Sequence, residues 1–164
     1  MRIGLMSDTH GRLDPQILQY FDSCDEIWHA GDIGTPELLE QLRAAKPVRA
    51  VYGNIDPPGL TRELPLDLHW DCDGLRVYMT HIGGYPGRYD PRARREILAR
   101  KPGLFICGHS HILKVIRDPK LDLLHMNPGA CGYQGWHKVR TILRFTIENG
   151  KIGSAEAIEL PPRT

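Results

Sequence analysis

Seven side chains in this sequence hold divalent cations well: Asp8, His10, Asp32, Asn54, His81, His109 and His111. Their mixture of carboxylate, amide and imidazole suits borderline ions of the first transition row, whereas an all-oxygen set would favour magnesium or calcium. Seven ligands serve two ions better than one, because a single shared carboxylate then gives each ion about four bonds before water. Asp8-x-His10 and His109-x-His111 place ligands two residues apart. In extended backbone such residues point the same way, so each pair is expected to address one site. Glycine precedes the key residue at Gly31-Asp32, Gly53-Asn54 and Gly108-His109. A glycine there lets the backbone turn sharply and approach a ligand closely.

The elements that must position these residues are short apolar runs alternating with helical patterns. Ile3–Met6 ends in Ser7-Asp8, Glu26–Ala30 in Gly31-Asp32, and Val48–Tyr52 in Gly53-Asn54. Asp14-Pro15 and Thr35-Pro36 between them read as helix N-caps followed by proline in the first turn. The result is βαβαβ, the pattern of a parallel sheet with covering helices. Further on, Leu75–Thr80 ends in His81, and Leu104–Cys107 ends in Gly108-His109-Ser110-His111. All seven residues therefore stand just past the carboxyl ends of strands, the edge where open α/β sheets bind ligands. Between these strands the glycines and prolines of Ile82–Tyr89 predict a loop, and Asp90-Pro91 opens a helix. Arg92, Arg94 and Arg95 on that helix read as a solvated face. Leu123–Met126 leads into Asn127-Pro128-Gly129. Val139, Thr141, Leu143, Phe145 and Ile147 alternate like a half-buried antiparallel strand, and Asn149-Gly150 predicts a hairpin to Ile152–Leu160. The tail, Pro161–Thr164, is expected to fray.

Composition narrows the function classes. The 164 residues fit one domain, 1–164, at roughly 100–200 residues per domain. Hydrophobic residues at 41% and charged residues at 25% argue against a disordered chain. A net charge of +1 lacks the basic excess of a protein that captures nucleic acid electrostatically. No apolar run reaches the ~20 residues of a membrane span, and the acid at position 8 comes too early for a secretory signal. The expectation is a cytoplasmic protein. Cys24, Cys72, Cys107 and Cys131 lack CxxC spacing and read as free thiols, Cys107 as a small core residue. His29, His69, His125 and His137 read as structural or exposed histidines.

The blocks Asp8-Thr9-His10-Gly11, Gly31-Asp32, Gly53-Asn54-Ile55-Asp56, His81 and Gly108-His109-Ser110-His111 occur in that order. In this the sequence resembles the calcineurin-like metallophosphoesterases, and most of all their small bacterial and archaeal phosphodiesterase subfamily. The resemblance runs from Met1 to about Cys131 and includes Asn127-Pro128-Gly129. It implies an α/β fold, a four-layer α/β/β/α sandwich of two mixed sheets flanked by helices. It implies that Asp8, His10, Asp32 and His111 hold a first metal, that Asp32 bridges, and that Asn54, His81 and His109 complete the second metal's set. Asp32, Asn54, His81 and His109 would thus carry catalysis. The implied cofactors are two divalent transition-metal ions, Mn²⁺ first, with Zn²⁺, Ni²⁺ or Fe as others. The implied reaction is in-line attack of a metal-bridging hydroxide on a small phosphodiester, nucleotide-derived esters among them. Neither a membrane nor nucleic acid is expected as partner, and a homo-oligomer is compatible with the family. The other reading is a non-catalytic protein-binding scaffold of the same fold, as in the retromer subunit, but none of the seven ligands is replaced here.

Two positions depart from the family pattern. Many relatives carry histidine where Ile55 stands, and that histidine is taken to stabilise or protonate the leaving oxygen, which Ile55 cannot do. His81 is followed by Ile82-Gly83, so the loop bearing Tyr85, Arg88 and Tyr89 is the least transferable part. Those three residues could contact phosphate or a base, or simply face solvent.

Overall fold

The computed structural model describes residues 1–163 of the chain. Its strands and helices follow in the order β1 (Arg2–Met6), α1 (Pro15–Tyr20), β2 (Glu26–His29), α2 (Pro36–Ala45), β3 (Val48–Ala50), α3 (Pro58–Thr61), β4 (Asp67–Cys72) and β5 (Leu75–Thr80). They continue with β6 (Gly84–Tyr85), β7 (Arg88–Tyr89), α4 (Pro91–Arg100), β8 (Leu104–Ile106), β9 (Leu113–Asp118), β10 (Leu123–Pro128), β11 (Arg140–Glu148) and β12 (Lys151–Leu160).

Two five-stranded sheets result, in the orders β12-β11-β1-β2-β3 and β4-β5-β8-β10-β9. In the first, β1, β2 and β3 are parallel and β11 runs antiparallel to β1. In the second, β5, β8 and β10 are parallel, and the edge strands β4 and β9 are antiparallel to their neighbours. Ile3, Leu5 and Trp28 of the first sheet pack with Val77, Met79 and Ile106 of the second. The outer face of the first sheet takes Ile17 and Phe21 of α1 and Leu38, Leu39 and Leu42 of α2. The outer face of the second takes Ala93 and Ile97 of α4. These contacts stack four layers, α/β/β/α. The central strands are covered on both faces, so β1 reads as a continuous apolar run and not an alternating one. Gly4 is required within it, because a Cβ there would lie 2.6 Å from the ring of Phe21.

Local chemistry explains the helix starts. Asp14 accepts from Gln16 N at 2.9 Å, Thr35 Oγ1 from Leu38 N at 3.2 Å, and Asp90 from Arg92 N at 3.0 Å, each followed by proline.

Several expectations are corrected. Strands β4 and β9 and the four-residue α3 carry no clear pattern in the sequence, because each fully buries a single residue. Ile82–Tyr89 is not all loop: Gly84–Tyr85 pairs with Arg88–Tyr89 around Pro86-Gly87. Gly84 and Gly87 have positive φ there, so glycine makes the ribbon possible. The first half of β11 is buried on both faces, with Arg140 inside, whereas half-burial was expected. The tail is held up to residue 163: Pro161 O accepts from Arg140 Nη1 at 2.8 Å, and Arg163 bonds three carbonyls of residues 133–137. Thr164 lies outside the described residues. No helix among the described residues is long and apolar enough to cross a membrane.

Candidate metal centre

The carboxyl ends of β1, β2 and β3 meet those of β5 and β8 along one edge of the sandwich. Two groups of ligand atoms form there, Asp8 with His10 and His111, and Asp32 with His81 and His109. Asp8 and His10 share a group as their spacing predicts, whereas His109 and His111, two residues apart, serve different groups, against the spacing argument but in the division the resemblance implies. The reason lies in the backbone. Asp8, His10, Asp32, His109 and His111 all have φ between 50° and 68°, the left-handed region, and not the extended conformation that would point both side chains one way. Aspartate and histidine tolerate this region better than most residues, yet it still costs on the order of 1–3 kcal/mol per residue. Such strain at five neighbouring residues marks a site under functional constraint.

Each carboxylate has one oxygen secured by protein donors and one aimed into the site. Asp8 Oδ2 accepts from Ser7 Oγ at 2.6 Å and from His109 N at 3.2 Å. Its Oδ1 lies 3.1 Å from His111 Nε2, 3.7 Å from His10 Nε2 and 3.8 Å from His81 Nε2. Asp32 Oδ1 accepts from Ile55 N at 3.0 Å, and its Oδ2 lies 3.2 Å from His81 Nε2 and 3.5 Å from His10 Nε2. Both carboxylates therefore face histidines of both groups. His81 Nδ1 is 2.8 Å from Ala30 O, an acceptor only, so this ring donates from Nδ1 and turns Nε2 to the carboxylates. The preceding glycines make this approach possible. A Cβ at Gly31 would lie 2.6 Å from His81 Nδ1, one at Gly53 2.1 Å from Asp32 Oδ1, and one at Gly108 2.2 Å from Ser7 Oγ.

The donor set fits divalent metal. Asp8 Oδ1, His10 Nε2 and His81 Nε2 are buried and lack any hydrogen-bond partner, a costly arrangement unless a cation sits among them. Burial opposes charge on Asp8, but the imidazoles of His10, His111 and His81 around it hold its carboxyl well below the usual range. Burial likewise opposes charge on Asp32, and His81 overcomes it. The His10 imidazole is raised above its ordinary value chiefly by Asp8. The site thus keeps its acids ionised and draws positive charge to itself.

Asn54 borders the Asp32 group. It is exposed, and it lines a cavity of about 120 Å³ together with His81, Ile82 and Arg92. Ile55 is 44% exposed and touches the site only through its backbone N–H. Asp56 is a brace: its two oxygens accept from Gly34 N at 2.7 Å and Gly53 N at 2.8 Å. Asn127 braces the other side, donating to Gly108 O and Ser110 Oγ, both at 3.0 Å. Of the loop residues, Tyr89 bonds Asp118 at 2.7 Å and is structural, whereas Tyr85 is exposed beneath Lys114.

The four histidines outside the seven separate clearly. His29 is fully buried between Gly31 N and Thr9 Oγ1, and burial pushes it down to about 3. His69 pairs with Glu96 and stacks on Tyr78. His125 is buried in the core without a polar partner. His137 departs from the structural expectation, because its Nδ1 lies 3.1 Å from His111 Nδ1. The only sequence signal for it is the glycine-rich stretch Gly132–Gly135 after Asn127-Pro128-Gly129. All four cysteines are buried, and burial pushes Cys107 and Cys131 up to about 12, far from a reactive thiolate.

Residues 1–150 match the calcineurin-like phosphoesterase superfamily domain. A probable metallophosphoesterase of Methanothermobacter thermautotrophicus is 31% identical over 136 residues, covering 79% of this chain and 77% of that protein. One from Methanocaldococcus jannaschii is 31% identical over 137 residues, covering 79% and 68%. Among solved structures, an archaeal phosphodiesterase superposes with a TM-score of 0.78 at 23% identity, over 98% of this chain and all of that one. Zinc-bound Vps29 from Entamoeba histolytica superposes with a TM-score of 0.73 at 17% identity, over 98% of each chain. These two likenesses establish the fold alone.

Proposed function

Because the chain belongs to the calcineurin-like phosphoesterase superfamily, we propose that it is a dinuclear-metal phosphodiesterase acting on a small phosphodiester. The observation that carries this reading is the convergence of two three-residue ligand groups on shared carboxylates, with three of their ligand atoms buried and unpartnered. Asp8, His10 and His111 with Asp32 would hold one ion, and Asp32 with Asn54, His81 and His109 the other. Two divalent ions so held would supply Lewis-acid polarisation of the phosphoryl oxygens and a water-derived nucleophile at neutral pH.

The chain's own residues bound the rest of the chemistry. The cysteines are buried, and Ser7 is buried and bonded to Asp8, so none of these is placed as a nucleophile. The reading is direct attack of water on phosphorus, in line with the departing oxygen. The loop after β3 offers no proton donor to that oxygen, since Ile55 has none and both oxygens of Asp56 are engaged. Leaving groups that depart as stable anions, as in aryl diesters, should be favoured over alkoxides, where general-acid help is worth about 10²–10⁴-fold. The scaffold reading has less support, because all six histidine and carboxylate ligands are present and the relatives that cover most of this chain at 31% identity are named as probable metallophosphoesterases.

The test is hydrolysis of an aryl phosphodiester and an aryl phosphomonoester by the full chain. It is run after chelation, after reloading with Mn²⁺ or Mg²⁺, and with the Asp32→Asn variant. We expect no activity after chelation, better recovery with Mn²⁺ than Mg²⁺, and a diester preference. Asp32→Asn keeps the shape but loses the charge, and should cost at least about 10²–10³-fold. A wild-type chain that binds no metal and hydrolyses neither ester would sink the proposal in favour of a scaffold.

A further inference from the structure

Among the described residues, His111 is the one imidazole of the site with a hydrogen-bonding side chain behind its ring. Its Nδ1 lies 3.1 Å from His137 Nδ1, with the ring centroids 5.0 Å apart and the planes nearly perpendicular. The other nitrogen of His137, Nε2, lies 3.1 Å from Gly132 O. A carbonyl can only accept, so His137 carries its proton on Nε2 and presents a lone pair at Nδ1. The complementary partner is His111 with its proton on Nδ1. That arrangement leaves His111 Nε2 without a proton and turned to Asp8 Oδ1, 3.1 Å away.

The surrounding loop is built to keep these rings together. Gly135 has φ +125°, and a Cβ there would lie 2.3 Å from His111 Nδ1 and 3.0 Å from His137 Nδ1. The loop's start is pinned by Gly132 N, which donates to Asp8 O at 3.1 Å. Its far side is pinned by Arg163, which donates to Tyr133 O at 3.0 Å, to Gly135 O at 2.7 Å and to His137 O. The end of the described chain thus straps the loop that carries His137.

We propose that His137 is a positioning residue: it holds His111 in the Nδ1–H tautomer and aims its Nε2 into the Asp8 group, with Arg163 holding the loop in place. The metal-affinity consequence rests on the metallophosphoesterase reading, whereas the tautomer consequence does not. Partners of this kind behind a ligating histidine typically change metal affinity or activity by about 10–100-fold.

The test compares His137→Phe, which keeps a ring but removes the acceptor, with His137→Asn, whose amide oxygen can replace Nδ1. Nitrogen-15 NMR of the metal-free full chain at pH 8 reads the His111 tautomer, and calorimetry reads Mn²⁺ binding. Wild type and His137→Asn should show the Nδ1–H form of His111. His137→Phe should lose it and bind Mn²⁺ about 10–100-fold more weakly. A His137→Phe protein with wild-type tautomer and affinity would overturn the proposal, as would equal losses in both variants, which would mark a packing role. If His137→Phe does not fold, Arg163→Ala carries the test: a shifted His111 tautomer supports the proposal and an unshifted one overturns it. If wild type itself binds no Mn²⁺, the metal reading fails, and NMR alone still decides the role of His137.

Discussion

The two ligand groups are built in different ways. In the Asp32 group, the backbone does the holding. His81 donates to Ala30 O, Asp32 accepts from Ile55 N, and both side chains are nearly inaccessible to solvent. In the Asp8 group, side chains and a surface loop do it: Ser7 secures Asp8, and His137 secures His111. A backbone carbonyl comes with the strand and cannot be lost by substitution. A histidine on a loop is useful only while the loop stays closed, and here that depends on Arg140, Arg163 and two glycines. The difference teaches that one half of the site is a consequence of the sheet, and the other of contacts made far along the chain.

The comparison can be broken most strongly at Arg140, which underlies the loop-held half. This buried guanidinium donates to Cys131 O at 3.0 Å, to Pro161 O at 2.8 Å and to Asp14 Oδ2 at 3.0 Å. Arg140→Met leaves Asp14 buried without its cation. It should cost about 3–5 kcal/mol in urea denaturation. A loss below 1 kcal/mol would mean that the loop does not depend on this pair.

A matched pair of glycine substitutions comes next. Gly31→Ala places a methyl against His81 Nδ1 in the backbone-held half, at φ +101° and in a fully enclosed position. We expect at least about 1–3 kcal/mol of lost stability together with lost Mn²⁺ binding. Gly135→Ala places a methyl against His111 Nδ1, but on an exposed loop that can shift outward. Its Tm should fall less than that of Gly31→Ala, while its Mn²⁺ affinity still drops. Equal Tm losses would erase the distinction between the two halves.

At neutral pH the smallest effect should lie outside both halves, at His125. Its ring packs against Phe105 without polar partners, and burial pushes its pKa down to about 4 from an ordinary value of 6.5. Between those two values the unfolded chain binds a proton that the folded chain refuses. Stability therefore falls as pH falls through that window, by up to about 1.4 kcal/mol per pH unit. His125→Leu should remove this slope from urea denaturation between pH 6.5 and 4, with little change at pH 8. An unaltered slope would assign the acid sensitivity to other groups.

The sequence by itself determined a good deal about this protein. The cap-plus-proline starts of α1, α2 and α4, the apolar runs of β1, β2, β5 and β8, and the ligand-type residue just past each run are local features. They are decided by capping chemistry and strand periodicity, which need no distant partner. For the same reason the Asn149-Gly150 hairpin and the seven candidate ligands could be read directly, and the family blocks implied two sheets. The division of the ligands, His111 with Asp8 and His109 with Asp32, follows what the family blocks implied, whereas the spacing of the pair alone pointed both side chains to one site. The tertiary structure supplies the reason: His109 and His111 have left-handed φ values, and nothing in an x-separated pair of ligands announces that turn. The edge strands β4 and β9 were hidden because each fully buries a single residue, which leaves no alternation to read. His137 was hidden because its role is a contact with a residue 26 positions away. Its chemistry depends on which nitrogen faces which neighbour, and that is settled only when the loop closes over His111.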